Sequence, residues 1–334
     1  MEKAGERNQT PKVEFILLGF GNDPELQPLL FLFFLVIYIV TVAGNLLIIV
    51  LVVADQYLRT PMYYFLGNLS FLEICNITSI LPRLLASLLT GDRTITLNGC
   101  IVQLGTFGLV AATESLLLMA MSYDRYLAIC HPLRYAALMN GRVCCQLVAG
   151  CWLGSFLCGP PVSSFLFHLT FCDSKEIDHF FCDFLPMIKL SCDDTQTLQL
   201  TTFTVGGIGL FVSCLLTMAS YFSIISTILR IPSTFCRRKA FSTCSSHFTV
   251  VTIFFGSMIT VYVFPRTNTP KVLHNIFSLF YTVLTPMINP FIYTLRNKEV
   301  HESLRRVSLK LTAFRNSHKK FKGQMLTCGK KEMN

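Results

Sequence analysis

Seven long apolar runs are the feature that most restricts how this chain can fold. They lie near residues 29–53, 62–86, 100–123, 143–166, 199–229, 240–262 and 272–293. A helix needs about 20 apolar residues to cross the hydrocarbon core of a bilayer, and every run is long enough. Charged residues make up only 14% of the 334 residues, against about a quarter in a soluble domain. The sequence therefore predicts an all-α membrane protein, a seven-transmembrane helix bundle without a second soluble domain.

The segments between and beyond these runs give the predicted domain organisation. Residues 1–28 form an extracellular N-terminal tail, 29–296 the seven-transmembrane domain, 297–311 an amphipathic helix on the inner membrane surface, and 312–334 a disordered cytoplasmic tail. The third assignment depends on apolar residues that recur at helical spacing among basic ones, namely Val300, Leu304, Val307 and Leu311. The first apolar run is too long for the core of a signal peptide, so we interpret it as a span that also targets the chain to the membrane.

The placement of charge predicts how the chain is oriented. If the first span runs from outside to inside, 19 of the 28 lysines and arginines lie in inner loops and the tail. The loop from Cys172 to Asp194 instead holds six acidic residues and two lysines. This positive-inside pattern predicts a multi-pass plasma membrane protein with an extracellular N-terminus and a cytoplasmic C-terminus. Because the basic residues flank apolar spans, they favour membrane lipids as partners and argue against nucleic acid.

Cysteines outside the spans predict disulfide bonds. Most of the 14 cysteines lie inside predicted spans, where a cysteine behaves as a small apolar residue. Four lie on the predicted extracellular side: Cys100, Cys172, Cys182 and Cys192. An even number in an oxidising compartment predicts two disulfide bonds with three possible pairings, and free thiols are the alternative. Asn8 begins an Asn-Gln-Thr sequon in the outer tail, which predicts N-glycosylation.

Two acidic residues interrupt the second and third runs. An acidic side chain at mid-span costs about 2.5–3.5 kcal/mol, so Glu73 and Glu114 are expected to face the bundle and to have partners. Two close carboxylates do not both stay ionised without a cation, and Asn45 and Asn289 are expected nearby. We predict a sodium ion shared by Glu73 and Glu114. The alternative is a protonated, hydrogen-bonded structural pair.

Several other classes of protein fit this sequence less well. The chain has no Walker loop, no HExxH zinc motif and no dinucleotide-binding glycine fingerprint, so neither enzymatic activity nor an organic cofactor is predicted. Cys236, Cys244 and His247 do not have the spacing of a zinc site. A transporter would predict internal repeats and broken helices, and the sequence shows no repeat.

Four stretches resemble odorant (olfactory) receptors of the rhodopsin-like, class A family of G-protein-coupled receptors. They are Leu58–Ser70 around the second span, Met119–Cys130 with its Asp-Arg-Tyr motif, Lys239–His247 at the start of the sixth span, and Pro286–Tyr293 in the seventh. Gly44, Asn45 and Trp152 also occupy positions where the family has its markers. The resemblance runs from about Phe15 to Val300, and the motifs together are far more specific than Asp-Arg-Tyr alone.

The resemblance implies a function and a role for each matching residue. Asp124 would hold Arg125 in the inactive state and release it toward the G protein on activation. The same switch would include Tyr126, Tyr221, Asn289, Pro290 and Tyr293. The disulfide pairs would be Cys100–Cys182 and Cys172–Cys192, and the pair Glu73 and Glu114 would match the family's cation site. An odorant receptor would bind small volatile molecules within the bundle and activate a heterotrimeric stimulatory olfactory G protein, raising cyclic AMP.

The ligand pocket is predicted from helical position in the outer halves of the spans. The candidates are Phe107, Gly108, Ala111, Val205, Gly209, Met258, Ile259, Tyr262 and Leu279. An apolar pocket with a polar anchor such as Tyr262 suits a small hydrophobic odorant. Helix-to-helix packing is the alternative role for several of these residues. The alternative function is a rhodopsin-like receptor for a non-odorant small ligand, although an amine receptor usually has an acidic residue near the position of Phe107.

The chain departs from the family pattern at two positions. Phe255 stands where the family usually has tyrosine, and it lacks the hydroxyl that a hydrogen-bonded toggle would need. Glu73 stands where the family often has aspartate, which changes the reach of the carboxylate by one methylene but keeps its charge.

Overall fold

The structure is a computed structural model that describes residues 14–20, 23–172, 175–262, 271–295, 299–309 and 312. Within these residues, seven helical segments are long and apolar enough to cross a membrane. Six of them are α1 (Leu26–Ala54), α2 (Pro61–Thr90), α3 (Leu97–Cys130), α5 (Gly141–Ser164), α7 (Gln196–Leu229) and α8 (Thr234–Tyr262). The seventh consists of α9 (Lys271–Leu279), a π-helical segment (Phe280–Leu284) and α10 (Thr285–Leu295). The short helices α4 (Pro132–Leu138) and α6 (Phe184–Lys189) lie in connections.

The helices begin and end where local chemistry favours it. α2 starts with Pro61, whose fixed φ suits the first turn, and ends at Gly91, whose φ of +75° favours glycine. The side chain of Thr96 caps α3 by accepting a hydrogen bond of 3.2 Å from the amide of Gly99. In the seventh span, the Thr285 hydroxyl donates to the carbonyl of Phe280 at 3.0 Å, within the wider turn of the π segment.

Two kinds of apolar surface explain the composition of the bundle. α3 is central and packs against α2, α5, α7 and α8, with side chains such as Leu118 and Met121 fully buried. The outward faces are apolar as well, because Leu157 and Phe222 are exposed by 72% and 76%. A helix that is apolar on its outside as well as its inside is suited to lipid rather than to water. The predicted seven-transmembrane fold is confirmed.

A small sheet covers one end of the bundle. Its strands are β1 (Glu14–Leu17), β2 (Thr94–Thr96) and β3 (Glu176–Ile177), in the order β2-β1-β3. β1 pairs antiparallel to β2 and parallel to β3, and it buries Phe15 and Leu17 underneath. This sheet was not predicted from the sequence pattern. Instead of being structureless, the long connection between α5 and α7 contributes β3 and α6.

Two disulfide bonds hold the same connection in place. Cys182 in the connection is bonded to Cys100 in the first turn of α3, and Cys172 is bonded to Cys192. Their Cα–Cα distances are 5.4 and 5.8 Å. This is the pairing that the family resemblance implies. We call this side of the bundle the disulfide end and the opposite side the Arg125 end.

Residues 299–309 are helical and pack on the Arg125 end of the bundle. The Arg306 guanidinium donates to the carboxylate of Asp55 from Nε at 3.0 Å and from Nη2 at 2.9 Å, and Tyr63 donates to Glu299 at 2.7 Å. Burial by itself would raise the pKa of Asp55, but the hydrogen bonds that its carboxylate accepts hold the pKa below its ordinary value. Residues 297, 298, 310 and 311 of the predicted amphipathic helix lie outside the described residues.

Candidate functional site

The Asp124–Arg125 pair lies in the last two turns of α3, six and five residues before that helix ends at Cys130. Arg125 Nε donates to Asp124 Oδ2 at 3.0 Å, and Asp124 is fully buried. A third residue joins this pair, because the Tyr135 hydroxyl on α4 donates to Asp124 Oδ1 at 2.8 Å. Burial and the Asp124 carboxylate raise the pKa of the Tyr135 phenol, so it stays a donor at neutral pH. Asp124 therefore restrains both Arg125 and α4.

Two tyrosines of the predicted switch lie near this pair but are not bonded to it. Tyr221 on α7 shares a hydrogen bond with His247 on α8. Tyr293 on α10 is buried, and its hydroxyl has no hydrogen-bond partner among the described residues. Both tyrosines are close enough to Arg125 to interact with its charge. The Tyr126 hydroxyl points elsewhere, to His131 Nε2 at 3.0 Å.

A buried polar cluster occupies the middle of the bundle. Glu73 and Glu114 are buried and interact with each other, and the Asn289 amide donates to Glu73 Oε1. One oxygen of each carboxyl group, Glu73 Oε2 and Glu114 Oε1, is buried without a hydrogen-bond partner. The amide of Asn45, which is expected near this pair, donates to the carbonyl of Pro286 at 3.1 Å and ties α1 to α10. Two buried carboxyl oxygens without partners are donor atoms of the kind that suits a hard cation.

Pro290 occupies a tight contact between the first and seventh spans. A Cβ atom added at Gly44 would lie 3.0 Å from Cβ of Pro290. Only glycine therefore lets α1 and α10 approach so closely at this level. The contact places Asn289, the neighbour of Pro290, against Glu73.

An aromatic cluster lies beneath the sheet at the disulfide end. The Phe107 ring on α3 is 5.4 Å from Phe181 in the connection before α6, and 5.7 Å from Tyr281 in the π segment, between ring centroids. The Tyr262 hydroxyl on α8 lies 3.0 Å from that of Tyr281 and donates to Asp183 Oδ1 at 3.4 Å. Aromatic walls with a hydroxyl pair and a buried carboxylate form a mainly apolar surface with a polar anchor.

The other ligand-pocket candidates divide into two groups. Met258 is buried in the main core, and Ala111 and Leu279 pack against that core. Gly108 is partly buried, and an added Cβ would meet no atom within 4 Å. Val205, Gly209 and Ile259 are exposed. The place of both groups in a ligand pocket stays a prediction.

Comparison with known proteins identifies the family. A family profile described as olfactory receptor matches residues 34–310. Human olfactory receptor 6C75 is 47% identical over 305 residues, covering 91% of this chain and 98% of the relative. Human olfactory receptor 6F1 is 48% identical over 299 residues, covering 89% and 96%. Olfactory receptor 1G1 of Gorilla gorilla gorilla is 45% identical over 301 residues, covering 90% and 96%. The chain belongs to the olfactory receptor family.

Family membership settles the class of protein. Olfactory receptors are G-protein-coupled receptors of the plasma membrane that cross it several times, and they are not enzymes. The predicted receptor family and the predicted fold are therefore confirmed. Asn8, the predicted glycosylation site of this olfactory receptor, lies outside the described residues, as do residues 313–334 of its predicted tail.

Sequence reasoning missed several residues of the olfactory receptor's site. Tyr135, Asp183 and Tyr281 were not candidates, because the partners that define them are remote in sequence. His247 was not predicted as the partner of Tyr221, and among the described residues no group of three or more His, Cys, Asp or Glu side chains could hold a metal ion. The sequence did contain one indication of Asp183. This residue directly follows Cys182, so a disulfide bond from Cys182 to α3 brings Asp183 to the disulfide end of the bundle.

Proposed function

We propose that this olfactory receptor binds a small hydrophobic odorant at the disulfide end and activates a heterotrimeric stimulatory olfactory G protein at the Arg125 end, raising cyclic AMP. The observation that carries the proposal is Arg125, held by a buried carboxylate beside two tyrosines that do not yet contact it. Such an arrangement has a second set of partners available, which is the requirement for a bistable switch.

The proposed orientation places the disulfide end outside the cell and the Arg125 end in the cytoplasm. Most lysines and arginines belong to the loops and tail at the Arg125 end, in agreement with the positive-inside rule. Two disulfide bonds at the other end need an oxidising compartment to form and persist. The G protein would then meet Arg125, and the odorant would enter beneath the sheet.

The proposed ligand pocket is the aromatic cluster around Phe107 together with Tyr262. Phe107 supplies apolar contact area on α3, and Tyr262 supplies a hydroxyl on α8. A ligand that contacts both helices can bind one arrangement of α3 and α8 better than another, and only such a difference in affinity shifts the equilibrium. The chain has no acidic side chain at Phe107, and the Asp183 carboxylate in this cluster already accepts hydrogen bonds from Tyr262 and from its own helix cap, so the pocket favours a neutral odorant over an amine.

Replacing Phe107 with alanine tests this pocket. We expect the odorant concentration for half-maximal cyclic AMP to rise at least tenfold, because losing a buried aromatic contact of about 1.4 kcal/mol lowers affinity tenfold. Phe211→Ala is the matched control, since Phe211 is 64% exposed on α7. Tyr262→Phe tests the hydroxyl alone and should weaken only odorants that carry a hydrogen-bonding group. An equal response of the Phe107 and Phe211 variants, at equal surface expression, would remove Phe107 from the pocket.

We also propose that Glu73 and Glu114 hold a sodium ion together with Asn289. The two orphaned carboxyl oxygens supply hard ligands, and the Asn289 amide, which donates to the other oxygen of Glu73, holds that carboxyl group in place. A bound sodium ion would offset one negative charge of the pair and link α2 to α3, which restrains the bundle between the ligand pocket and Arg125.

The sodium proposal predicts a salt-specific effect on stability. Purified receptor should melt at a higher temperature in sodium chloride than in choline chloride of equal ionic strength, because a ligand that binds only the folded state stabilises it. Glu73→Gln and Glu114→Gln should each lose this difference. If the parent shows no preference for sodium, or if both variants keep it, the pair is a protonated structural contact instead.

A further inference from the structure

The seventh span contains two prolines, and each of them removes one backbone donor from the helix. Proline has no amide N–H, so the carbonyl four residues before it loses the partner that a regular helix would give it. Pro290 leaves the carbonyl of Pro286 without this donor, and Pro286 does the same to the carbonyl of Thr282. An unpaired carbonyl is costly inside a membrane, because the bilayer core offers it no water. Both carbonyls therefore need donors from elsewhere in the bundle.

Asparagine side chains of two neighbouring spans supply these donors. The Asn45 amide on α1 donates to the carbonyl of Pro286 at 3.1 Å. The Asn76 amide on α2 donates to the carbonyl of Thr282 at 3.4 Å, which is a long hydrogen bond. Both asparagines are buried. A side-chain amide thus replaces the missing backbone amide at each of the two prolines.

This contact is the only hydrogen bond that the Asn76 side chain makes among the described residues. Its amide oxygen is buried there without a partner, and the residue is only 3% exposed. A buried amide oxygen without a partner makes a fold less stable than an apolar side chain of similar size would. The presence of Asn76 is therefore explained by the hydrogen bond that it donates and not by its packing.

The carbonyl that Asn76 contacts belongs to the π segment, Phe280–Leu284. The wide turn is closed by Thr285, whose amide and hydroxyl both donate to the carbonyl of Phe280. A regular helix turns by about 100° per residue, so side chains eight positions apart lie about 80° apart around its axis. The extra residue that a π segment accommodates reduces this angle to about 20°.

Tyr281 and Asn289 are eight positions apart, and the π segment brings them towards the same face of the seventh span. The Tyr281 ring lies 5.7 Å from that of Phe107 in the proposed ligand pocket, between centroids. The Asn289 amide donates to Glu73 in the polar cluster below. The position of the ligand pocket relative to that cluster therefore depends on the π segment.

We propose that Asn76 is a positioning residue for odorant binding, which holds the π segment and thereby fixes Tyr281 in the ligand pocket relative to Asn289 beside Glu73. Without the Asn76 donor, the carbonyl of Thr282 gains a partner only if the segment rearranges, and Tyr281 turns with it. The effect on odorants rests on the function proposed above, whereas the hold on the π segment does not.

Two substitutions, made singly and together, test this role. Asn76→Leu removes the donor, and Pro286→Ala returns a backbone amide that can donate to the carbonyl of Thr282. Alanine is a better helix former than proline, so Pro286→Ala is expected to fold. Asn68→Leu is the matched control, because the Asn68 amide donates to the carbonyl of Tyr64 at 2.9 Å within α2 itself.

Hydrogen–deuterium exchange of the purified full-length receptor measures the hold on the π segment without any odorant. We expect the peptide that spans Phe280–Leu284 to exchange at least threefold faster in Asn76→Leu than in the parent, and at the parent's rate in Asn68→Leu. When Pro286→Ala is already present, Asn76→Leu should change the exchange rate less than twofold. Equal acceleration in both backgrounds, as a loss of packing would give, overturns the proposal, and so does an unchanged rate in Asn76→Leu alone.

Odorant-evoked cyclic AMP measures the consequence at the ligand pocket. At matched surface expression, the odorant concentration for a half-maximal response should rise at least fivefold in Asn76→Leu, but less than twofold when Pro286→Ala is already present. Faster exchange with an unchanged odorant response would contradict the positioning role. If the parent responds to no odorant, the proposed odorant function fails, and the exchange rates alone decide whether Asn76 holds the π segment.

Discussion

Arg125→Ala is expected to reduce odorant-evoked cyclic AMP at least tenfold without removing the receptor from the cell surface. In the resting arrangement the guanidinium is engaged by Asp124 and is not hydrogen-bonded to Tyr221 or Tyr293 within the part of the chain that the structure describes. Its removal takes away the cation that would change partners on activation. The measurement is cyclic AMP per surface receptor at saturating odorant.

Two further variants separate the switch from a loss of stability. Removing Arg125 leaves the buried Asp124 with only Tyr135, and an unpaired buried charge costs about 3–5 kcal/mol. Arg125→Gln keeps a hydrogen-bond donor and should be equally inactive while more stable. Arg134→Ala, an exposed arginine on α4, is the charge-matched control and should respond as the parent does. Full activity of Arg125→Gln would show that the charge is not required.

Asp124→Asn is expected to act in the opposite direction. It weakens the hold on Arg125, so cyclic AMP in the absence of odorant should rise.

Cys100→Ser is expected to lower the amount of receptor at the cell surface at least tenfold. The bond to Cys182 is fully buried and joins α3 to the connection that carries β3, α6 and Asp183. Removing a native disulfide typically costs about 2–5 kcal/mol, which is a large part of the stability of a protein. Surface staining of non-permeabilised cells measures the effect.

The second disulfide gives a graded comparison. Cys100 and Cys182 are separated by 82 residues and Cys172 and Cys192 by 20, so the chain-entropy model predicts a loss about 1 kcal/mol smaller for Cys172→Ser. Cys158→Ser removes an exposed free cysteine and controls for the substitution itself. Surface levels of Cys100→Ser equal to those of Cys158→Ser would contradict the structural role of the bond.

The spans were predictable because one physical quantity sets them. The first run was placed at 29–53, and α1 extends from Leu26 to Ala54. The thickness of the bilayer sets the minimum length of each spanning helix, and apolar side chains mark that length directly in the sequence. The seventh run was placed at 272–293, and within it the π segment at Phe280–Leu284 interrupts the regular α-helical turn.

The sheet was not predictable from pattern. β3 has two residues and β2 has three, so neither is long enough to show an alternation of apolar and polar residues. Their pairing depends on β1, which comes from a tail that is otherwise polar. The strands meet only because the bundle and the Cys100–Cys182 bond bring the three segments to one end.

The candidate site was predictable in part. Glu73 and Glu114 are recognisable because a charged side chain inside an apolar run is costly and usually has a partner. Arg125 is recognisable from the Asp-Arg-Tyr motif. The partners of these residues depend on how the helices are rotated and spaced. The sequence therefore indicated Asn289 beside Glu73, whereas nothing in it indicated Tyr135 beside Asp124.

The most direct test of the central claim is a cyclic AMP screen of volatile compounds in cells that express the receptor with trafficking chaperones, beside Arg125→Ala at matched surface expression. The account predicts at least one small hydrophobic compound that raises cyclic AMP in the parent and not in the variant. Silence of the parent across a broad panel, with its surface expression confirmed, would contradict the odorant proposal and favour a non-odorant small ligand.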